Sequence, residues 1–417
     1  MHRTELIEDL IQLINIRSVT GEPGCVQAMH KLTELAGRYG FTHEQDGELS
    51  LSILHPGTEG TRELGILGHI DVVPEGSGWK HAPFEASEQN GYVIGRGSID
   101  NKGPVIMSLF VLRCLRELDI PLKSTVRLIA GCREETDMED VKHYLLFHEP
   151  PAFTINCDGG WAGCIGEKGI LEADLLFPAA TGNLISLEGG SASNMVADHA
   201  CAVIRLADGT HQLLEATGRA AHCCVPHQGE NAIIKLLDQL CDDRLRQCFP
   251  DDYGTGLRIH HEDALSGKTT CVPTMIHLED DVIRVHFNAR IALSQRREQL
   301  MNTLQKRIAK LNIQLENVRW IPPRYTSPDQ PEVQLLLDTC REFLNPKYKP
   351  YVMGGGTHSR YFPNSLPFGP EMLDPRIKRP FGKAHGTDEA VCIDDLLRTI
   401  KVYVIALKRL DDHFSSK

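Results

Sequence analysis

The sequence has no excess of basic residues and no long apolar run. Its 44 lysines and arginines are outnumbered by 56 aspartates and glutamates, giving a formal net charge of −12. Because a surface that binds nucleic acid requires clustered positive charge, this balance argues against nucleic acid as a partner. The apolar segments also fall short of the roughly 18 residues that a membrane-spanning helix needs. We therefore expect neither a nucleic acid nor a membrane as a partner.

The sequence also lacks the marks of a secreted, disulfide-bonded protein. It contains 13 cysteines, an odd number, and no two of them form a C-x-x-C pair. The N-terminal segment MHRTELIEDLIQLINIRSV carries acidic residues, and no small-residue cleavage site follows it. Its apolar residues recur at helical spacing, which predicts an amphipathic helix rather than a signal peptide. A reducing, cytoplasmic location is therefore expected.

A phosphate-binding loop is missing as well. The glycine-rich segment GRGSIDNKG contains neither the G-x-G-x-x-G pattern nor the Walker lysine pattern. This disfavours a nucleotide-binding α/β enzyme, and internal repeats and low-complexity segments are absent too.

The pattern of helices and strands divides the chain into two domains. A length of 417 residues already indicates this, at about 150 residues per domain. Up to about residue 165, runs typical of buried strands alternate with helical patterns, which predicts an α/β layer structure. From Lys168 onward, apolar and polar residues alternate, as in a sheet with one exposed face. After the proline-rich segment IPPRYTSPDQP the first pattern returns, so we predict one domain from residues 1–167 and 326–417, with residues 168–325 inserted as an α+β domain.

Polar, potentially reactive side chains follow several of the predicted strands. Residues two apart share one face of a strand, so the histidine and aspartate of LGHIDVV can point towards one site. The positions are His69 and Asp71, Asp100 in the turn GRGSIDNKG, Glu134 and Glu135 after TVRLIAGC, Asp158 in FTINCDGG, and far downstream His385 in GKAHGTDEA.

These side chains are expected to meet, because the carboxyl ends of strands line the ligand crevice of open α/β sheets. Carboxylates gathered in one place repel each other unless a cation lies between them. Imidazole and carboxylate together are ligands for zinc, and also for manganese or cobalt. The sequence therefore predicts a site for divalent metal, in which two ions can share a bridging carboxylate.

Taken singly, each of these motifs also has a purely structural interpretation. A lone H-x-D is more often structural than metal-binding, adjacent glutamates usually form a solvated turn, and aspartate in CDGG suits a turn. The ordered combination of all of them is much harder to explain in that way.

The combination resembles a known family, the M20 metallopeptidases. GHIDVVPEGSGW, GRGSIDNKGP, REE, CDG, GEKG and KAHGTDE occur in the family's order and span nearly the whole chain. The first of these motifs looks most like the PepV-type bacterial dipeptidases. The resemblance implies a mixed-sheet αβα catalytic domain with an inserted α+β lid domain, hence an α/β fold class. It also implies metal-dependent hydrolysis of an amide bond.

The resemblance further implies a ligand set for two divalent ions, most plausibly zinc, with manganese or cobalt as alternatives. His69 and Asp158 match the ligands of one ion, and Glu135 and His385 match those of the other. Asp100 matches the carboxylate that bridges the two ions.

Two further acids match the family's catalytic positions. Asp71 would accept the second N–H of the His69 ring, as partners of metal-bound histidines do. Glu134 matches the general base that takes a proton from water and passes it to the leaving amine.

The inserted domain and a later glycine-rich segment contain motifs that resemble the family's substrate-binding segments. The implied roles are contact to the scissile carbonyl, stabilisation of the oxyanion, a clamp for a carboxylate, and a glycine-rich turn that binds substrate. The matching residues are Asn194 in SASNMVAD, His222 in GRAAHCC, Arg290 in HFNARI, and Gly355, Gly356 and Thr357 in MGGGTHSR.

Three functional hypotheses follow. The leading one is a dinuclear metallohydrolase that cleaves dipeptides. The alternative within the family is a deacylase of N-acyl amino acids, of the aminoacylase or desuccinylase type. A third is a metal-binding protein without catalysis, against which the intact Glu134 argues. Since Asn194, His222 and Arg290 occur in one chain, we expect a monomer rather than a dimer.

Overall fold

The computed structural model describes residues 2–60, 62–178, 183–240, 242–371 and 379–416. These residues form two compact units. The first comprises Met1–Ile165, Thr326–Tyr351 and Thr357–Lys417, and the second comprises Gly166–Tyr325 and Val352–Gly356. The short segment Val352–Gly356 thus groups with the second unit, although it lies in the part of the sequence that we assigned to the first domain.

The helices vary from single turns to one of six turns. They are α1 (Arg3–Ile14), α2 (Gly24–Arg38), α3 (Lys102–Glu117), α4 (Glu139–Phe147), α5 (Ala232–Leu237), α6 (Asp243–Cys248), α7 (Arg297–Lys310), α8 (Pro331–Phe343) and α9 (Ile393–Ser415), with 3-10 turns at Pro226–Gln228 and His358–Arg360.

The strands are mostly short in the first unit and longer in the second. They are β1 (Thr42–Asp46), β2 (Ser50–His55), β3 (Glu63–His69), β4 (Ser87–Gln89), β5 (Tyr92–Ile94), β6 (Thr125–Gly131), β7 (Phe153–Asn156), β8 (Cys164–Glu167), β9 (Gly169–Pro178), β10 (Leu184–Gly189), β11 (His199–Arg205), β12 (His211–Thr217), β13 (Glu262–Asp263), β14 (Gly267–Lys268), β15 (Thr270–Glu279), β16 (Val282–Ile291), β17 (Gln314–Ile321), β18 (Arg324–Tyr325), β19 (Tyr351–Met353), β20 (Ser365–Pro367) and β21 (Ala390–Cys392).

A mixed sheet forms the centre of the first unit. Its strand order is β1-β2-β6-β3-β7-β20. Strands β6, β3, β7 and β20 pair in parallel, whereas β1 and β2 join the sheet in antiparallel fashion. Because parallel strands end at the same edge of a sheet, the residues that follow β3, β6 and β7 come together there.

Helices cover both faces of this sheet. In β3, Leu67 packs with Val141 and Tyr144 of α4 in one buried cluster. A Cβ at the next residue, Gly68, would instead press on Val105 of α3, so α3 lies close against the other face. Successive strand residues point to opposite faces, so the arrangement is the αβα layering that we predicted. The predicted N-terminal helix is also confirmed, as α1, and it packs against α2, α3 and α9.

The second unit is built on an antiparallel sheet of order β12-β11-β10-β15-β16-β9-β17. Alternate residues of β16, among them Val285, Phe287 and Ala289, are fully buried in a core shared with α5, α6 and α7. The residues between them are polar and form hydrogen bonds on the other face, for example Arg284 to Asp174 at 3.0 Å. This is the one-sided sheet that the alternating sequence predicted.

The α/β fold class is therefore confirmed, with a mixed-sheet αβα domain and a separate α+β domain. Among the described residues, none of the helices combines the length and the apolar character that a transmembrane segment requires. The described cysteines are all free thiols, among them Cys223 and Cys224.

Candidate active site

Four of the predicted site residues of the first unit lie where its parallel strands end. His69 is the last residue of β3, and Glu134 and Glu135 follow β6 in an irregular turn. Asp158 comes two residues after the end of β7, and its N–H donates to Oδ1 of Asn156 at 3.0 Å. The strand order brings these residues together, since β3 lies between β6 and β7.

Asp100 lies between the two histidines and contacts both. Its Oδ1 is 2.9 Å from Nε2 of His69, and its Oδ2 is 3.0 Å from Nε2 of His385. Oε1 of Glu135 lies 3.0 Å from the same nitrogen of His385. One carboxylate thus connects a fully buried imidazole with a half-exposed one. This is the arrangement expected of a carboxylate that bridges two sites.

Asp71 does more than face the ring of His69. Its Oδ1 lies 3.3 Å from Nδ1 of His69. Its two carboxylate oxygens also accept the backbone N–H groups of Glu134 and Glu135, each at 3.2 Å. The hydroxyl of Thr20 donates to Oδ2 at 2.7 Å. Asp71 therefore connects the end of β3 to the glutamate turn after β6, which orients both glutamates.

In the part of the chain that the structure describes, Glu134 has one unpartnered carboxylate oxygen, and a ligand atom of its carboxylate lies within 4.8 Å of those of His69 and Asp158. Its side chain is buried, and within the described residues its Oε1 has no hydrogen-bond partner. Burial raises the pKa of this carboxyl group, although His69 opposes the shift. Burying a carboxylate oxygen without a hydrogen-bond donor costs free energy. No protein group of the described ranges occupies this acceptor position, so it can accept a proton from a bound molecule.

Bound protons reduce the repulsion between the carboxylates of this cluster. Burial and the nearby Asp100 together raise the pKa of Asp158 to about 8. Burial likewise raises the pKa of Glu135. For His385 burial works in the opposite direction, but hydrogen bonds to Asp100 and Glu135 outweigh it and raise its pKa. The cluster is thus electrostatically balanced only by bound protons or by metal ions.

The donor set fits divalent metal. Ligand atoms of His69, Asp100 and Glu135 lie within 4.8 Å of one another, and so do those of His69, Glu134 and Asp158. Two overlapping groups of imidazole and carboxylate donors match the preference of zinc and its neighbours for nitrogen and oxygen.

The second unit gathers most of the other predicted residues into a separate cluster around His222. The backbone carbonyl of Asn194 accepts the N–H of Cys223 at 2.9 Å, next to His222. Nδ1 of His222 accepts the N–H of Cys224 at 3.3 Å, and Sγ of Cys224 lies 2.8 Å from the same nitrogen. Because a backbone N–H can only donate, Nδ1 is the acceptor and the neutral ring carries its proton on Nε2.

Arg290 is buried, with 6% of its surface exposed, and is held by neighbours on three sides. Its Nε donates to Oδ1 of Asn288 at 3.0 Å, and its Nη1 donates to the carbonyl of Gly354 at 3.3 Å. The amide nitrogen of Asn288 donates to Glu172 at 2.6 Å, which fixes the orientation of the amide. The guanidinium plane is therefore set before any ligand binds.

The glycine-rich turn is only partly free to bind substrate. A Cβ at Gly354 would press on Cys224, whereas a Cβ at Gly355 would enter open space. The hydroxyl of Thr357 accepts the N–H of Ser359 at 3.2 Å and an amide hydrogen of Asn156 at 3.0 Å. The Thr357 side chain thus stabilises the first unit, so any substrate contact from this turn involves its backbone, which includes Gly356.

Sequence reasoning missed Thr20, Arg96 and Glu389. No motif marks Thr20, because its contact with Asp71 joins residues 51 positions apart. Arg96 and Glu389 do lie inside the quoted motifs GRGSIDNKG and GKAHGTDEA, where their charge next to glycine and histidine was the available signal.

Known proteins match this chain over most of its length. Residues 65–409 match the sequence model of peptidase family M20/M25/M40. The "Putative dipeptidase YtjP" of Bacillus subtilis (strain 168) is 30% identical over 461 residues, which cover 98% of this chain and 97% of that protein.

Two solved structures share the fold. A tripeptidase from Staphylococcus aureus aligns with a TM-score of 0.64 and 16% identity, covering 98% of this chain and 99% of that one. The YXEP protein of Bacillus subtilis, described as a dinuclear metal-binding peptidase, aligns with a TM-score of 0.59 and 11% identity, covering 98% of both chains.

The balance of charges among the acids and histidines of the first unit predicts that the metal-free protein loses stability as the pH rises from about 5 to about 8. Folded Asp158 holds its proton up to a pKa of about 8, whereas an aspartate of the unfolded chain ionises near a pKa of about 3.9. The folded state therefore binds more protons between these values, so the free energy of unfolding falls as the pH rises. Melting temperatures of chelator-treated protein at both pH values measure this.

Asp158→Asn should raise the melting temperature of the metal-free protein more at pH 8 than at pH 5. The matched control is Asp338→Asn on α8, an aspartate that is 62% exposed, which should show no such difference. Equal effects of Asp158→Asn at both pH values would contradict the proposed charge balance.

Proposed function

This chain belongs to peptidase family M20/M25/M40, and on that premise we propose that it is a dipeptidase with a dinuclear metal site. It is a metallopeptidase, like the family as a whole. The observation that carries the dinuclear proposal is the contact of Asp100 with both His69 and His385, one through each carboxylate oxygen. The dipeptidase name of the relative from Bacillus subtilis supports the choice of substrate.

His69 and Asp158 would hold one ion, Glu135 and His385 the other, and Asp100 both. Zinc suits this donor set best, and manganese or cobalt would also fit. Divalent ions held here would lower the pKa of water towards neutrality and polarise the scissile carbonyl. Asp71 fixes the His69 ring and the glutamate turn, so the ligands are oriented before metal binds.

Glu134 acts as the general base. Its unpartnered Oε1 takes a proton from the attacking water, whose oxygen bonds to the carbonyl carbon. As the C–N bond breaks, the protonated Glu134 gives that proton to the leaving amine nitrogen. Burial raises its pKa, which makes Glu134 a stronger proton acceptor.

The second unit supplies the contacts to substrate. His222, with its proton on Nε2, can donate to the oxyanion that develops on the carbonyl oxygen, and Asn194 presents an exposed side chain beside it. Arg290 would bind the C-terminal carboxylate of the substrate, for which a planar guanidinium is suited. Gly355 and Gly356 would add backbone groups. The deacylase alternative needs the same carboxylate contact but no free amine.

A substrate panel tests this proposal. We expect unblocked dipeptides to be hydrolysed far faster than N-acetyl or N-succinyl amino acids. A dipeptide should also be a better substrate than its own C-terminal amide, because the amide cannot pair with Arg290. The measurement is kcat/KM for each compound with zinc-loaded protein, with Arg290→Gln as the matched variant. Faster turnover of the N-acyl amino acids would favour the deacylase instead.

Glu134→Gln should lower kcat by about 10²–10⁴-fold, because glutamine cannot take a proton from water. The bound zinc, measured by elemental analysis, should stay the same. The control is Glu139→Gln at the exposed start of α4, which should leave both quantities unchanged. If Glu134→Gln retained full activity, the assignment of the base would be wrong.

We further propose a monomer, since one chain carries both the metal ligands and His222. Light scattering should then report the mass of a single chain. Mixing the inactive variants Glu134→Gln and His222→Asn should restore no activity. Recovery of activity in the mixture would show that His222 acts in a partner's site.

The closer resemblance to PepV-type enzymes stays a prediction. The cytoplasmic location, expected from the cysteine pattern, also stays a prediction.

A further inference from the structure

A buried ion pair lies behind the metal ligands of the first unit. Nη1 of Arg96 is 2.5 Å from Oε2 of Glu389, and the two side chains are 1% and 0% exposed. Neither residue is among the predicted ligands. Replacing a buried ion pair by apolar side chains is often neutral or even stabilising, so stability alone does not account for this pair.

Glu389 holds the turn that carries Asp100. Its Oε1 accepts the backbone N–H of Ile99 at 2.9 Å and that of Asp100 at 3.1 Å. Together with the contact of Oε2 to Arg96, these bonds engage both carboxylate oxygens. The backbone position of Asp100 is therefore fixed by Glu389 and does not depend on the histidines.

Arg96 holds two other loops of the site. Its Nη2 lies 3.3 Å from the carbonyl of His385 and 3.3 Å from that of Glu75, which follows β3. Its guanidinium carbon also lies 5.1 Å from the centre of the Trp79 ring. The guanidinium group thus joins the loop of Glu75 and Trp79 to the loop of His385.

The His385 loop needs such support. His385 has a φ of 62°, in the left-handed region that non-glycine residues adopt at a cost. The contact of Arg96 with the His385 carbonyl helps to hold that conformation, and with it the direction of the imidazole ring.

We propose that Arg96 and Glu389 are positioning residues that set the distance between Asp100 and His385, and that metal affinity depends on them. This inference rests on the proposed function only in so far as Asp100 and His385 are metal ligands. The pair itself contacts neither metal nor substrate. It acts through the backbone of the two ligands, so its effect is measurable without any substrate.

The test measures zinc affinity of the metal-free full-length protein by competition with a chromophoric chelator. Glu389→Gln keeps the shape and one acceptor oxygen but turns an amide group towards Arg96. Arg96→Lys keeps the charge but cannot reach Glu389 and the His385 carbonyl together. Each variant should bind zinc about 10- to 100-fold more weakly than the wild type, as loss of groups that orient metal ligands does.

The matched control is the ion pair at the opposite end of the same strands. Glu63 at the start of β3 pairs with Arg127 of β6 at 2.8 Å, and Arg127 is largely buried. Glu63→Gln removes a comparable charge contact and should leave zinc affinity unchanged. The visible spectrum of the cobalt-substituted protein provides a second readout, because it reports ligand geometry. It should change in Glu389→Gln and not in Glu63→Gln.

The outcomes separate the two proposals. If Glu389→Gln and Arg96→Lys had the zinc affinity and the cobalt spectrum of the wild type, the positioning role would be overturned. The proposed function would remain intact. Equal losses in Glu63→Gln would also overturn it, because the effect would then be general destabilisation. A wild-type protein that binds no zinc or cobalt would refute the proposed function, and the inference with it.

Discussion

The chemistry of this protein depends on one electrostatic constraint, the gathering of acids at the edge of the sheet where three parallel strands end. Asp100, Glu134, Glu135 and Asp158 could not all be ionised at short range in a buried site without a positive charge between them. The two histidines supply part of that charge, and burial together with Asp100 raises the pKa of Asp158 to about 8. Divalent cations remove the conflict more completely, because each places two positive charges among the carboxylates. Metal binding at these residues would therefore release protons in the same step.

Buried carboxylates outside the proposed ligand set hold these acids in a defined geometry. Asp71 accepts N–H groups from the glutamate turn while it faces the His69 ring. Glu389 fixes the Asp100 backbone in the same way. In both cases a carboxylate binds backbone, so the proposed ligands are held by the fold and do not depend on an ion for their position. Such oriented ligands are what tight metal binding and catalysis require.

The sequence was sufficient for features that depend on local pattern. The alternation of helix and strand patterns predicted the α/β class, and the rule that parallel strands end at one edge explained why His69, Glu135 and Asp158 should meet. It was insufficient where contacts join distant segments in ways that no periodicity records. The hydroxyl of Thr20 on Asp71 is one such contact. The grouping of Val352–Gly356 with the second unit is another, because Gly354 packs against Cys224 and accepts from Arg290, both more than 60 residues earlier. Three-dimensional packing alone decides such pairings.

The same electrostatics are consistent with the proposal that Arg290 of the second unit binds the substrate carboxylate. A pocket rich in glutamate and aspartate repels a substrate carboxylate, so an arginine placed among those acids would pair with them instead of with substrate. Arg96 illustrates this, since it lies in the first unit and pairs with Glu389 and with backbone carbonyls. Arg290 lies on another sheet, where Asn288 and the Gly354 carbonyl, both uncharged, hold it. Neutral partners orient the guanidinium without neutralising it, and its charge stays available for an anionic ligand.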